Sequence, residues 1–158
     1  MQSDSKIIRF LLDWAEHFYK SKDAFYKKIQ DIEKKSSSLI IHYKDHAEII
    51  LGLGDLTKFD SQSMQNDTSI ITLNNRRNLD TLYQRWTEFS SLSTLKVYFI
   101  NPFSLLEHKW IIKPYTHARI CDDVALKSGL KAMFETVEPL TEEILASKKY
   151  KVVEDKGA

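Results

Sequence analysis

The sequence predicts an α+β domain, a two-layer sandwich of one mostly antiparallel five-stranded sheet with helices packed on it. Three observations predict it. Apolar residues at three-four spacing mark helices near both ends and in the middle. Short alternating or β-branched runs between them mark strands, and glycine, proline and asparagine stops separate the runs. The expected order is α-β-β-β-α-β-β-α plus a short C-terminal helix.

Residues 4–34 predict one long helix, or two nearly in line with a break at Ser21-Lys22-Asp23. Ile8, Leu11, Ala15, Phe18, Phe25, Ile29 and Ile32 share its face, and Ile7, Leu12, Trp14, Tyr19 and Tyr26 widen it beyond a coiled-coil seam. Residues 39–44 and 48–53 predict a hairpin turning at Lys44-Asp45-His46. Residues 55–68 have no period, which marks a mobile or functional stretch. Residues 69–73 form the third strand. Asn74 or Asn75 caps the second helix, whose apolar side is Leu79, Leu82, Tyr83, Trp86 and Phe89. Residues 95–100 and 109–113 are the fourth and fifth strands, stopped by Asn101-Pro102 and by Pro114.

Asp122 or Asp123 caps the third helix, with Val124, Leu126, Leu130, Met133, Phe134 and Val137 on its apolar side. Gly129 inside that helix implies close packing. Thr141-Glu142-Glu143 opens the short last helix. Residues 1–150 read as one domain, and residues 151–158 as a charged, frayed tail. The element order resembles that of the secretion-chaperone-like group of folds over most of the chain, through no residue motif. Such a resemblance implies a fold and assigns no function.

Composition removes several function classes. The 158 residues carry 23 basic and 22 acidic side chains, a net charge of +1. No global field draws the chain to nucleic acid or to an anionic membrane. No run approaches the roughly 20 apolar residues of a membrane span. The opening MQSDSKIIRF is soon interrupted by Arg9, Asp13 and Glu16, so no signal peptide is expected. The single cysteine, Cys121, excludes an intramolecular disulfide and a cysteine-based zinc site. A reducing, cytoplasmic setting is the expectation.

Unusual polar residues concentrate in residues 101–123. Residues 114–119 pack tyrosine, threonine, histidine and arginine between a strand and a helix, the kind of connection that carries binding. Tyr115, His117, Arg119 and Asp122 are therefore the candidate ligand-binding residues. His117 and Cys121 stand at i, i+4, the spacing a histidine-activated thiol needs in a helix. Ile120 and Val124 beside the thiol favour burial and packing instead. Adjacent Asp122 and Asp123 suit capping better than shared ligation. His42, His46 and Glu48 lack a fixed third spacing for zinc. Gly52-Leu53-Gly54-Asp55 lacks the remainder of any phosphate-loop fingerprint. No catalytic residue, metal or cofactor is assigned.

These observations predict a non-enzymatic interaction or adaptor domain that acts through an apolar surface as a homodimer. Its first helix displays more apolar face than one small sheet covers. The alternatives are a small enzyme or ligand-binding domain using residues 115–123, and weak nucleic-acid binding through Arg76, Arg77 and Arg85, where arginines lie near Tyr83 and Trp86.

Overall fold

The computed structural model describes residues 2–64 and 67–148. The expected tail at residues 151–158 lies outside them. The fold is α+β, as expected, but its sheet has six strands and is mixed. The strands are β1 (Ile29–Lys34), β2 (Ser38–Tyr43), β3 (Ala47–Gly52), β4 (Asp67–Leu73), β5 (Lys96–Ile100) and β6 (Lys109–Ile112). The helices are α1 (Gln2–Asp23), α2 (Arg76–Gln84), α3 (Trp86–Ser90), α4 (Pro114–Ile120), α5 (Asp123–Phe134) and α6 (Glu142–Ser147). The strands lie side by side in chain order.

Residues 24–34, expected as helix, form a turn and a strand instead. α1 ends at Asp23, and the Asp23 carboxylate accepts from the backbone N–H of Lys28 (2.7 Å) and Ile29 (2.9 Å). Lys27 turns the chain with φ 53°. The chain then enters β1, where the register shifts between Ile29 and Asp31. One extra residue in a strand puts residues three apart on one face. Ile29 and Ile32 therefore both meet the α1 side of the sheet, opposite Tyr43 and Ile41. A β-bulge here reproduces the helical spacing.

The sheet, expected as mostly antiparallel, is mixed. β1–β2, β2–β3 and β5–β6 pair antiparallel, but β3–β4 and β4–β5 pair parallel. β4 is buried from Thr68 to Leu73 without a break. Parallel strands are covered on both faces, so their residues alternate between two cores rather than between core and water. The layers are accordingly three, not two. Ile70, Val97, Phe99 and Trp110 face a core completed by α2, α3 and α5. Ile71, Leu73, Tyr98 and Ile100 face a core completed by α1 and by Leu145 of α6. Ile7, Leu12 and Tyr19, expected as surplus apolar surface, are buried in that second core because the six-stranded sheet is wide enough to cover them. At Gly52 a Cβ would stand 3.1 Å from Leu12 Cγ, so glycine permits the close approach of α1 to β3.

The second helix breaks at Arg85 into α2 and α3, and Trp86 and Phe89 enter the core as expected. The segment expected as a binding loop is itself a helix, α4, opened by Pro114 at its first turn. Gly129 is not a close contact, since no atom lies within 4 Å of its Cβ position. Val124 is exposed, and so is Met133, so the buried stripe of α5 is narrower than its apolar composition.

One end of the sheet is closed by asparagines. Asn74, fully buried where β4 ends, accepts from Trp110 Nε1 at 2.6 Å and donates to the Val137 carbonyl at 2.9 Å. Asn101, at the end of β5, donates to the Glu138 carbonyl at 2.9 Å. Asn75 caps α2 through the Asn78 N–H, and Asn78 in turn donates to Thr72 and to the Leu73 carbonyl. These bonds seat residues 134–140 across the C-terminal ends of the parallel strands. Asn74→Ala would leave the Trp110 N–H and the Val137 carbonyl without their partners, at a cost of about 3 kcal/mol. The expected result is a lower urea midpoint at unchanged m-value. An unchanged midpoint would mean that water replaces the side chain at no cost.

Candidate functional site

The opposite end of the sheet, where β3, β4 and β5 begin, is open. A half-enclosed cleft of about 560 Å³ lies there, a size ordinary for small-molecule sites. It is framed by the last turn of α1, the 24–28 turn, the ends of β1 to β5 and the start of α4.

Glu48 forms its floor. In β3 it shares a side with Ile50, so alternation aims the carboxylate at the α1 face rather than at water. The residue is 7% exposed. A buried carboxylate requires partners, and Glu48 Oε2 has three. Tyr19 Oη donates at 2.8 Å, Ser69 Oγ donates at 2.6 Å, and Lys96 Nζ lies at 3.5 Å. Tyr98 Oη is 3.3 Å from Tyr19 Oη. Because the Tyr19 proton points to Glu48, Tyr98 is the donor in that pair. Four elements, α1, β3, β4 and β5, thus meet on one carboxylate.

Burial, reinforced by the neighbouring Tyr98 and Glu48 oxygens, pushes the Tyr19 phenol far above its usual range. Burial likewise raises Tyr98. Tyr43 on the cleft wall is pushed up to about 12, first by burial and then by the charge of Glu48. Tyr43 also stacks on His46, with ring centroids 4.6 Å apart, which makes a flat aromatic wall.

The residues singled out in the sequence do not converge. Tyr115 and Arg119 engage each other. The Arg119 guanidinium stands 3.4 Å above the Tyr115 ring and donates to its backbone carbonyl at 2.8 Å. His117 turns inward, edge-on to Trp86, and its Nε2 is buried without a hydrogen-bond partner. Asp122 caps α5 by accepting from the Ala125 N–H at 2.9 Å. The same segment does reach the cleft, through Lys113 and Thr116 instead. Cys121 follows α4 and is half-buried. Ile120 and Val124, expected to cover it, are themselves exposed.

His42 and Glu48 lie on opposite faces. His42 pairs with Glu33 at 3.3 Å and His46 with Asp45 at 2.7 Å. Among the described residues no cluster of metal-ligating side chains forms. The three arginines are each engaged locally. Arg76 pairs with Asp80 and Arg77 with Asp55, while Arg85 holds Glu88 and the carbonyls of Leu56 and Phe59. No described helix is long and apolar enough to cross a membrane.

Comparison with family models, with characterised proteins and with solved structures found no match to the chain.

The tyrosine shifts set a pH dependence. Below about pH 10 the folded and unfolded chains both keep their phenol protons. Above it the unfolded chain loses them first, so stability falls as pH rises toward about 12, where Tyr43 ionises in the folded chain. Urea midpoints measured across that window should decline, and Tyr19→Phe should shrink the slope. An equal slope in wild type and Tyr19→Phe would show that Tyr19 ionises freely in the fold.

Proposed function

We propose that this chain is a small-molecule-binding domain whose ligand sits in the cleft above Glu48. One observation carries this reading: a buried carboxylate with three polar partners forms the floor of a cleft open to solvent. The asparagine network at the other end of the sheet is covered by residues 134–140. This one faces a space of ligand size lined by hydroxyl, ammonium and aromatic groups. No catalytic step is assigned. The reading keeps the ligand-binding alternative drawn from the sequence and moves it from Tyr115 and His117 to Glu48, Lys96, Lys113 and Thr116.

A second observation supports the interaction reading. An apolar groove of about 460 Å³ runs along α1 past Phe10, Trp14 and Phe18 to Pro102. Beside it the 101–108 loop holds Leu105 91% exposed and Leu106 60% exposed. In this reading a second copy, or another protein, covers Trp14, Phe18, Leu105 and Leu106. Sedimentation equilibrium of wild type and Leu105→Asp tests the second-copy form, and a wild type of single-chain mass removes it.

Amide shift mapping with a library of small polar fragments separates the two. Shifts gathered at Tyr43, His46, Lys96 and Thr116 are the expected result. Shifts confined to Trp14, Phe18 and residues 101–108 would overturn the cleft reading in favour of the groove.

A further inference from the structure

We infer that the ligand of this cleft is a small hydroxylated oxyanion, with its charged oxygens toward Lys22, Lys28 and Lys113 and its hydroxyl end toward Glu48. The inference rests on the ligand-binding reading above and adds the ligand's charge and orientation.

The cleft is lined by four lysines and three carboxylates, which differ in what they already hold. Lys96 offsets Glu48 at the floor. Both oxygens of Asp23 accept backbone N–H groups of the turn that follows α1. His46 is paired with Asp45. Lys22 and Lys28 lie against ring faces, 5.6 Å from the Phe18 centroid and 5.7 Å from the Tyr26 centroid. Neither they nor Lys113 has a carboxylate partner among the described residues. Against these three ammonium groups stand Asp67 and the charge of Asp23, which leaves the rim one cation in excess.

The three lysines come from three separate segments: the end of α1, the 24–28 turn and the junction of β6 with α4. Cations gathered around a concave, partly desolvated space focus a positive field into it. The lysine ammonium is a compact point charge that suits phosphate or carboxylate oxygens.

The floor fixes the other end of the ligand. Glu48 accepts in every bond described for it. A ligand group that approaches it must therefore donate, and a second anion there would be repelled. Ser93, Thr94 and Thr116 add hydroxyls to the lining. Charged oxygens outward and hydroxyls inward is the arrangement that satisfies both ends.

The test uses the full chain and three probes of one carbon skeleton: glucose 6-phosphate, gluconate and glucose, measured by titration calorimetry. Binding of either anion at least about tenfold tighter than glucose is expected, the ratio showing whether phosphate or carboxylate is preferred. That binding should weaken at high salt. The double variant Lys28→Met, Lys113→Met should lose about tenfold or more for the anions and little for glucose. Both lysines are exposed, and an unchanged urea midpoint confirms that the variant folds. Glucose binding as tightly as its anions, insensitive to the double substitution, overturns the charge assignment and leaves the ligand-binding reading standing. Failure of both anions to bind, or anion binding that survives the substitution, also overturns it. Absence of any fragment shift at the cleft defeats the ligand-binding reading itself.

Discussion

The carboxylate of Glu48 is the constraint on which this end of the molecule depends. A charge placed on the buried face of β3 is costly without partners, and breaking such a group's pairing commonly costs more than the pairing contributes. The chain meets that demand with one hydroxyl from α1, one from β4 and one ammonium from β5. The helix and the strands cannot shift against one another without stranding the charge. The strands that carry the partners pair parallel with β3 or with its neighbour. Their register therefore sets the positions of Ser69 and Lys96 relative to Glu48. The polar floor and the sheet register specify each other.

The two ends of the sheet treat buried polarity in opposite ways. At the C-terminal ends of β4 and β5, neutral amides bind backbone carbonyls of residues 134–140. Open parallel sheets bind ligands at that end as a rule. Here the chain's own return segment occupies it. At the N-terminal ends, α1 stops at Asp23 and the polypeptide turns away before β1 begins. The space between this turn, the β2–β3 turn and α4 is the cleft. Its position follows from where one helix ends.

Much of the fold was legible. Asn75 and Asp122 were readable as caps, the hairpin of β2 and β3 as alternation, and Trp86 and Phe89 as core. The bulge in β1 was not, because it gives Ile29 and Ile32 a helical spacing. Parallel pairing left a trace that pointed elsewhere: the near-continuous apolar runs at residues 69–73 and 95–100 fit strands buried on both faces. Once both faces are buried, two helical layers are required, and Ile7, Leu12 and Tyr19 have a place inside. The candidate site was less legible. Glu48 shares its strand side with Ile50, which marks a charge aimed at a core, but its partners lie 21 to 48 residues further on, or 29 before it. No local pattern joins them. Tyr115, His117 and Arg119 looked like a site because polar variety is local, yet each is absorbed by a nearby ring, carbonyl or core.

The agreement between strand order and chain order bears on how the molecule assembles. Every strand pairs with the strand made just before it, so the sheet can widen by one strand at a time. The β1–β2 and β2–β3 hairpins need only short loops to close, and the two parallel additions each wait for one crossover. No strand must be threaded between two already paired. The late step is of another kind: α1, present from the start, has its floor completed only when β5 brings Tyr98 and Lys96 into place. Until then the apolar side of α1 and the Glu48 carboxylate lack part of their cover. A chain in which β5 failed to dock would keep that surface open, the condition that favours aggregation of incompletely folded chains.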